Sequence, residues 1–355
     1  MIETACEERL RRLLARCGYN SHTHLYYLGD KEWFWDSERE ALIAYRSVGT
    51  RRIVLGDPIG SPRAMIRVIE QFVADCRAHK RVPVFYQTKA SNLPLYHDLG
   101  LQGIKIGEEA LINLSSFHTN GKQWLKLRNR LNKFKRSGYA FEVLHPPFAE
   151  PFLNRLQSIS DEWLRNRNEK SFSVGAFSPE YISRYPVAIL TGPDGDCEAF
   201  ASIAGDHGNF AASPDKVTGA ASRRITVDLM RYTKACPHGT MDVLFLSLFK
   251  WAQENGYDVC SLGMAPFANA GDSFIVRLLY KYGNKLYNFK GLYDYKNKFL
   301  PEWEDVYVVY PPAKLPVSAL LLAFIIHTPV SGKQARFGTG PVRLWNRSVF
   351  LKKRA

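Results

Sequence analysis

In the run Ile225-Thr226-Val227-Asp228-Leu229-Met230-Arg231-Tyr232 a carboxylate and a guanidinium stand three residues apart among mostly apolar neighbours. A charge taken out of water is costly unless it is paired or put to use. On a strand Asp228 and Arg231 point to opposite faces, and on a helical turn they share one. Spacing alone leaves open both a buried Asp228–Arg231 ion pair and a reactive pair. Further on, Tyr287-Asn288-Phe289-Lys290-Gly291-Leu292 and Tyr295-Lys296-Asn297-Lys298-Phe299 interleave rings with lysines. That pattern suits stacking and phosphate contacts with a nucleic-acid end, or an amphipathic edge strand and turn with solvated lysines. Gly56-Asp57-Pro58-Ile59-Gly60 falls between a strand and a helix, where free N–H groups can hold an anion. It matches neither a P-loop nor GxGxxG, and the turn reading is favoured. No HExxH, GxSxG, Cys/His metal spacing or kinase motif set is present, so those chemistries have no support.

The elements that must position these residues belong to a globular chain. It has 355 residues, 46% of them apolar, which excludes a disordered polypeptide and suggests two domains. Its formal charge of +14 is concentrated in two places. Lys122, Lys126, Arg128, Arg130, Lys133, Lys135 and Arg136 form one cluster free of acids, and Lys314, Lys333, Arg336, Arg343, Arg347, Lys352, Lys353 and Arg354 form a second. The remainder nets about −1. Patches of this kind face a polyanion such as nucleic acid or an anionic membrane, or are a solvated helix face and a loose tail. The longest apolar run in the tail, Val317 to Ile326, is about half of the ~18–20 residues that a membrane span needs. Six scattered cysteines read as buried small hydrophobes in a reducing compartment, and no metal site is expected.

Hydrophobic periodicity predicts helices over Glu7–Cys17, Pro62–His79, Pro94–Leu99, Glu150–Asn166 and Met241–Asn255. Trp124, Leu127, Leu131 and Phe134 place another helix under the first basic cluster. Short β-rich runs are expected at His24–Leu28, Trp33–Asp36, Ala41–Ser47, Arg52–Leu55, Val82–Gln87, Leu101–Ile106, Tyr139–Leu144, Val187–Leu190, Glu198–Ile203, within Ala220–Met230 and at Asp258–Leu262. Two α/β units in series, each opening with antiparallel strands, give a mixed α/β class with a tandem architecture. The expected divisions are residues 1–145, 146–312 and a basic, partly apolar tail at 313–355.

Ten stretches, in order from about residue 20 to 310, together resemble one family, the cytosolic synthase domain of the multiple peptide resistance factors, which are aminoacyl-phosphatidylglycerol synthases. They are Leu28-Gly29-Asp30-Lys31, Leu55 to Gly60, Val84-Phe85-Tyr86, Ile106-Gly107-Glu108-Glu109-Ala110, Phe177-Ser178, Val227 to Tyr232, Gly239-Thr240-Met241-Asp242, Leu262-Gly263-Met264-Ala265-Pro266, Tyr287 to Leu292, and Lys296-Asn297-Lys298-Phe299.

The resemblance implies two tandem acyltransferase-like (GNAT-type) folds with a tunnel in which two substrates meet. It implies transfer of an aminoacyl group, lysyl favoured over alanyl, from a charged tRNA such as tRNA-Lys to a hydroxyl of phosphatidylglycerol, which weakens binding of cationic antimicrobial peptides. The place of action would be the cytoplasmic face of the bacterial membrane, with the family's polytopic flippase region outside this chain. Exchange of one ester for another needs no ATP, metal or other cofactor. It does need help for the departing proton and donors for the oxyanion. Asp228 is the expected base or orienting acceptor, and Arg231 the expected ligand of the lipid phosphate or oxyanion. Lys290, Lys296 and Lys298 are assigned to phosphates, and Gly263 and Met264 to the substrate site. Lys290 stands where the family commonly has Gln. The basic helix is assigned to tRNA and the tail to anionic lipid. The competing readings are an aminoacyl-tRNA-dependent peptidoglycan-bridge ligase, an acyl-CoA N-acetyltransferase, disfavoured for want of a pyrophosphate loop, and a non-catalytic tRNA- or lipid-binding module.

Overall fold

The computed structural model describes residues 2–165, 167–205, 223–270, 289–312 and 343–344. Nearly all of the basic tail, together with Tyr287 and Asn288, lies outside the described residues. In chain order the elements are α1 (Ile2–Cys17), a 3-10 helix (Thr23–Leu28), β1 (Glu32–Trp35), β2 (Ala41–Val48), β3 (Arg51–Leu55), β4 (Ile59–Gly60), α2 (Pro62–Ala78), β5 (Val82–Lys89), α3 (Leu93–His97) and β6 (Gln102–Asn113). There follow α4 (Leu125–Arg136), β7 (Ala140–Leu144), α5 (Glu150–Leu164), α6 (Pro179–Ile182), β8 (Val187–Thr191), β9 (Cys197–Gly205), β10 (Arg224–Tyr232), α7 (Thr240–Glu254), β11 (Val259–Pro266), α8 (Phe289–Asn297), β12 (Glu302–Tyr310) and β13 (Arg343–Leu344).

All the strands join one mixed sheet in the order β13-β1-β2-β3-β5-β12-β6-β11-β10-β9-β8-β7, with β4 on β2. One unit occurs twice. Antiparallel β2 and β3 feed α2, which carries the chain to β5, parallel to β3. Antiparallel β9 and β10 feed α7, which carries it to β11, parallel to β10. A parallel neighbour cannot be reached by a tight turn, so each pair requires its crossover helix. This is the mixed α/β class expected from the sequence. Chain order and sheet order part at the seam: β12, the last long strand, lies between β5 and β6, and β6 pairs on its other side with β11. The sheet therefore runs unbroken from one repeat into the other.

The helices form for local reasons. Ser61 caps α2 by accepting from the Ala64 N–H, Pro62 opens its first turn, and Ala64, Val68, Ile69, Phe72, Val73 and Cys76 make one buried face. Phe72 meets Phe34, Tyr45 and Phe85 with ring centroids 5.3, 5.2 and 6.0 Å away. α7 is apolar nearly all round, as its position between α4 and the sheet requires. Among the described residues no helix is long and apolar enough to cross a membrane.

Four segments in particular differ from the sequence reading. Thr23–Leu28 winds into a 3-10 helix where a β-rich run is expected, because Asn20 accepts from the His22 N–H and the Thr23 hydroxyl, and Gly29 at φ 70° ends it. Phe289–Asn297 is a helix where an edge strand was one option: Phe289, Leu292, Tyr293 and Lys296 recur at helical spacing, and Lys296 is the buried member. The strand β12 has no counterpart among the expected elements, and β6 runs on to Asn113, beyond Ile106.

Truncating Phe72 to Ala removes the ring about which three others pack. Its cost in unfolding free energy should be about 3–5 kcal/mol, read as a lowered midpoint at unchanged slope in urea denaturation.

Candidate functional site

β10 and β11 pair in parallel at Arg224/Val259, Ile225/Cys260 and Thr226/Ser261, and then stop pairing. Each strand bulges just beyond: β10 against β9 between Val227 and Met230, β11 against β6 between Ser261 and Met264. Bulges re-aim side chains and end pairing, so the two strands part with Asp228 and Arg231 on one rim and Gly263 and Met264 on the other. Gly263 has φ 76°, a conformation that suits glycine.

The Asp228 side chain is buried, and three segments supply its donors. The Gly175 N–H lies 3.1 Å from Oδ1, the Tyr181 hydroxyl 2.7 Å from Oδ2, and His24 Nε2 3.4 Å from Oδ1. Burial works against the charge, but the His24 ring and these hydrogen bonds outweigh it and hold the carboxyl below its ordinary range. At Gly175 the backbone comes so close to Asp228 that a Cβ would collide with the carboxylate.

Arg231 is buried too, yet it does not pair with Asp228. Its guanidinium donates to Glu169 Oε2 at 2.9 Å and lies over the Trp163 ring, 4.1 Å from the centroid. The buried Asp228–Arg231 ion pair that a helical turn would permit is thus replaced by separate partners, since the two residues lie on strand β10. Burial pushes the guanidinium's pKa down against the pull of Glu169, and its Nε is a buried donor with no partner among the described residues.

On the opposite rim α8 brings Lys296 to β11. The Lys296 amine donates to the carbonyls of Gly263 and Met264, 2.9 Å each. Burial lowers its pKa to about 7, with Glu109 acting in the other direction. Glu109 on β6 accepts from the Ser261 hydroxyl at 2.5 Å, and Ser261 in turn accepts from the Gly263 N–H at 3.0 Å. Lys296, Gly263 and Met264, three separate expectations of the sequence, are therefore one cluster.

The other expected residues are elsewhere. Lys290 is exposed, and Lys298 lies 3.5 Å from Asp242 Oδ1 and over the Tyr295 ring. In the basic cluster Arg130 pairs with Asp242, and Arg128 donates to the carbonyls of Thr119 and Gly121. Lys122, Lys126, Lys133, Lys135 and Arg136 are exposed. Asp57 accepts from the Lys89 N–H and the Tyr96 hydroxyl, which places a carboxylate in the Gly56–Gly60 segment and makes it a turn rather than an anion cradle. Beside it a cavity of about 20 Å³, room for one water, is lined by residues including Asn20, His22, Gln87 and Glu109.

Sequence reasoning missed His24, Glu169, Gly175, Tyr181 and Glu109 as members of the site. For Glu109 the signal was present: Ile106 to Ile112 carries two acids inside an otherwise apolar run, the same anomaly that singled out Asp228. Nothing in the sequence distinguished His24 among nine histidines.

The family model described as "Phosphatidylglycerol lysyltransferase, C-terminal" matches residues 11–310. The phosphatidylglycerol lysyltransferase of Bacillus subtilis (strain 168) is 38% identical over 315 residues, covering 87% of this chain and 35% of that protein. That of Staphylococcus aureus (strain COL) is 36% identical over 312 residues, covering 86% and 35%. The chain thus spans about a third of the length of these curated relatives. The solved structure of L-PGS from Bacillus licheniformis superimposes with a TM-score of 0.79 at 38% identity, over 90% of this chain and 97% of that one.

The depressed pKa of Lys296 has a sign that can be checked. Between about 7 and 10.5 the unfolded chain holds a proton on this amine that the folded chain lacks, so stability rises with pH across that window and falls as pH drops towards 7. Urea denaturation of wild type and Lys296→Met should show a stability difference that shifts in favour of wild type from pH 7 to 10, and no change in the difference would contradict the shift.

Proposed function

Because the chain belongs to the phosphatidylglycerol lysyltransferase C-terminal family, we propose that it transfers a lysyl group from lysyl-tRNA to a hydroxyl of phosphatidylglycerol, acting peripherally at the cytoplasmic face of the membrane. The observation that carries this reading is the parting of β10 and β11, with Asp228 and Arg231 on one rim and the Lys296 cluster on the other. An ester must be gripped there while one alcohol replaces another. No bond energy has to be supplied, since a C–O ester bond is broken and a C–O ester bond is made.

In this reading Asp228 serves as the orienting acceptor, since a carboxylate with three donors and a lowered pKa is a weak base. Arg231, whose buried Nε has no partner among the described residues, donates to the lipid phosphate or to the oxyanion. Gly263 and Met264, with their carbonyls held by Lys296, shape the substrate wall. Lys290 and Lys298 lie towards solvent, where the phosphates of tRNA or lipid would meet them. The five exposed cations of α4 and the turn before it follow the tRNA backbone, and the basic tail, residues 313–355, serves the anionic lipid surface.

Incubation with phosphatidylglycerol vesicles and each charged tRNA in turn, followed by mass analysis of the lipid, tests the reaction. Lysyl-phosphatidylglycerol is the expected product, and Asp228→Ala or Arg231→Ala should lower turnover by about 10²-fold or more. Near-normal product from either variant defeats its assignment, and labelling of an amine acceptor instead would point to a bridge ligase.

Replacing Lys126, Lys133 and Lys135 by Gln should weaken tRNA binding and reduce the slope of log K against log salt by about 0.7–0.9 for each phosphate that is no longer neutralised, while vesicle binding stays near wild type. Unchanged salt dependence would remove α4 from the tRNA path.

A further inference from the structure

We infer that His24 accepts the proton of the attacking hydroxyl and that Asp228 is the residue that positions it, an assignment that rests on the reaction proposed above. His24 lies on the 3-10 helix before β1, far in sequence from β10, and that helix packs against β9, the neighbour of β10. Nε2 stands 3.4 Å from Asp228 Oδ1, with the two side chains 4% and 6% exposed. The Gly175 N–H and the Tyr181 hydroxyl fix the carboxylate from two other directions, so its orientation towards the ring is set by the backbone and by a phenol. A carboxylate facing Nε2 favours the proton on that nitrogen and leaves the lone pair on Nδ1. Among the described residues Asp228 is the polar partner of the imidazole, and the edge of Tyr185 packs against the ring. Asp228 itself fits poorly as the base, because its three donors stabilise the ionised form.

The step balances without a co-reactant. The glycerol hydroxyl gives its proton to His24 Nδ1 as its oxygen attacks the ester carbonyl carbon, forming the new C–O bond. The tetrahedral adduct then breaks its C–O bond to the ribose, and the imidazolium returns the proton to the ribose oxygen. The charged and titratable groups around the pair include the buried Asp30–Lys31 pair, Arg231 with its partner Glu169, Tyr181 and Tyr185, and His22 on the same segment as His24.

Single-turnover transfer from lysyl-tRNA to phosphatidylglycerol vesicles, with wild type, His24→Gln, His24→Ala and Asp228→Asn, tests this. His24→Gln should lose about 10²–10⁴-fold in rate with tRNA binding unchanged, and added imidazole should restore part of the His24→Ala rate. Asp228→Asn should lower kcat while KM for lysyl-tRNA stays near the wild-type value, because the amide no longer holds the proton on Nε2. Wild-type turnover with a His24→Gln rate within about threefold of it overturns the role of His24 alone, as does a His24→Ala loss that imidazole does not relieve. Wild-type protein that makes no aminoacyl lipid overturns the reaction and this assignment with it.

Discussion

A carboxylate that stays charged inside a protein must be surrounded by donors, and Asp228 gathers its donors from three segments that are remote in sequence. The surrounding architecture follows from that requirement. Gly175 has to be glycine because its N–H can reach Asp228 only if the backbone comes within collision distance of a side chain. The loop bearing Gly175 is held by two further carboxylates: Asp30 accepts the Phe172 N–H at 2.8 Å, and Glu169 accepts the Phe177 N–H at 3.2 Å while pairing with Arg231. Asp30 is itself paired with Lys31, both side chains fully buried. Removing one of these groups would leave another buried charge uncompensated, a larger penalty than the loss of a single hydrogen bond.

The same logic separates the two rims where β10 and β11 part. One is acidic and ionised, held by N–H and O–H donors. The other presents an amine whose pKa burial lowers to about 7 and that grips two backbone carbonyls. Two parallel strands that stop pairing leave backbone groups unsatisfied, and Lys296 answers part of that need on β11. The net charge of the chain has little share in this interior. It lies in the exposed side chains of Lys122, Lys126, Lys133, Lys135 and Arg136 and in the sequence from Lys314 onward.

Much of the fold was legible in the sequence because its signals are local. Ser61-Pro62 and the periodic apolar face that follows define α2 without reference to anything else, and Trp124, Leu127, Leu131 and Phe134 do the same for α4. Asp228, Arg231 and Lys296 were visible as charges in apolar or aromatic surroundings. Their partners were not, because pairing across the seam depends on which strands become neighbours, and neither the bulges nor the insertion of β12 leaves a periodic mark. The ion pair that a helical turn would allow between Asp228 and Arg231 is a case in point: the two residues lie on strand β10, and their partners come from other segments. His24 illustrates the opposite failure, a residue of common type in a β-prone run that local side-chain hydrogen bonds wind into a 3-10 helix.

The position of β12 between β5 and β6 also sets a timetable. A ribosome delivers the chain from its N-terminus, so β5 and β6 emerge some two hundred residues before the strand that bridges them. Until residues 302–310 arrive, two strand edges in the first repeat stand open, and open edges recruit other chains. The nascent protein must therefore keep its first repeat unfinished, shielded or loosely formed, while the second is made. The last long strand then closes both repeats in a single event.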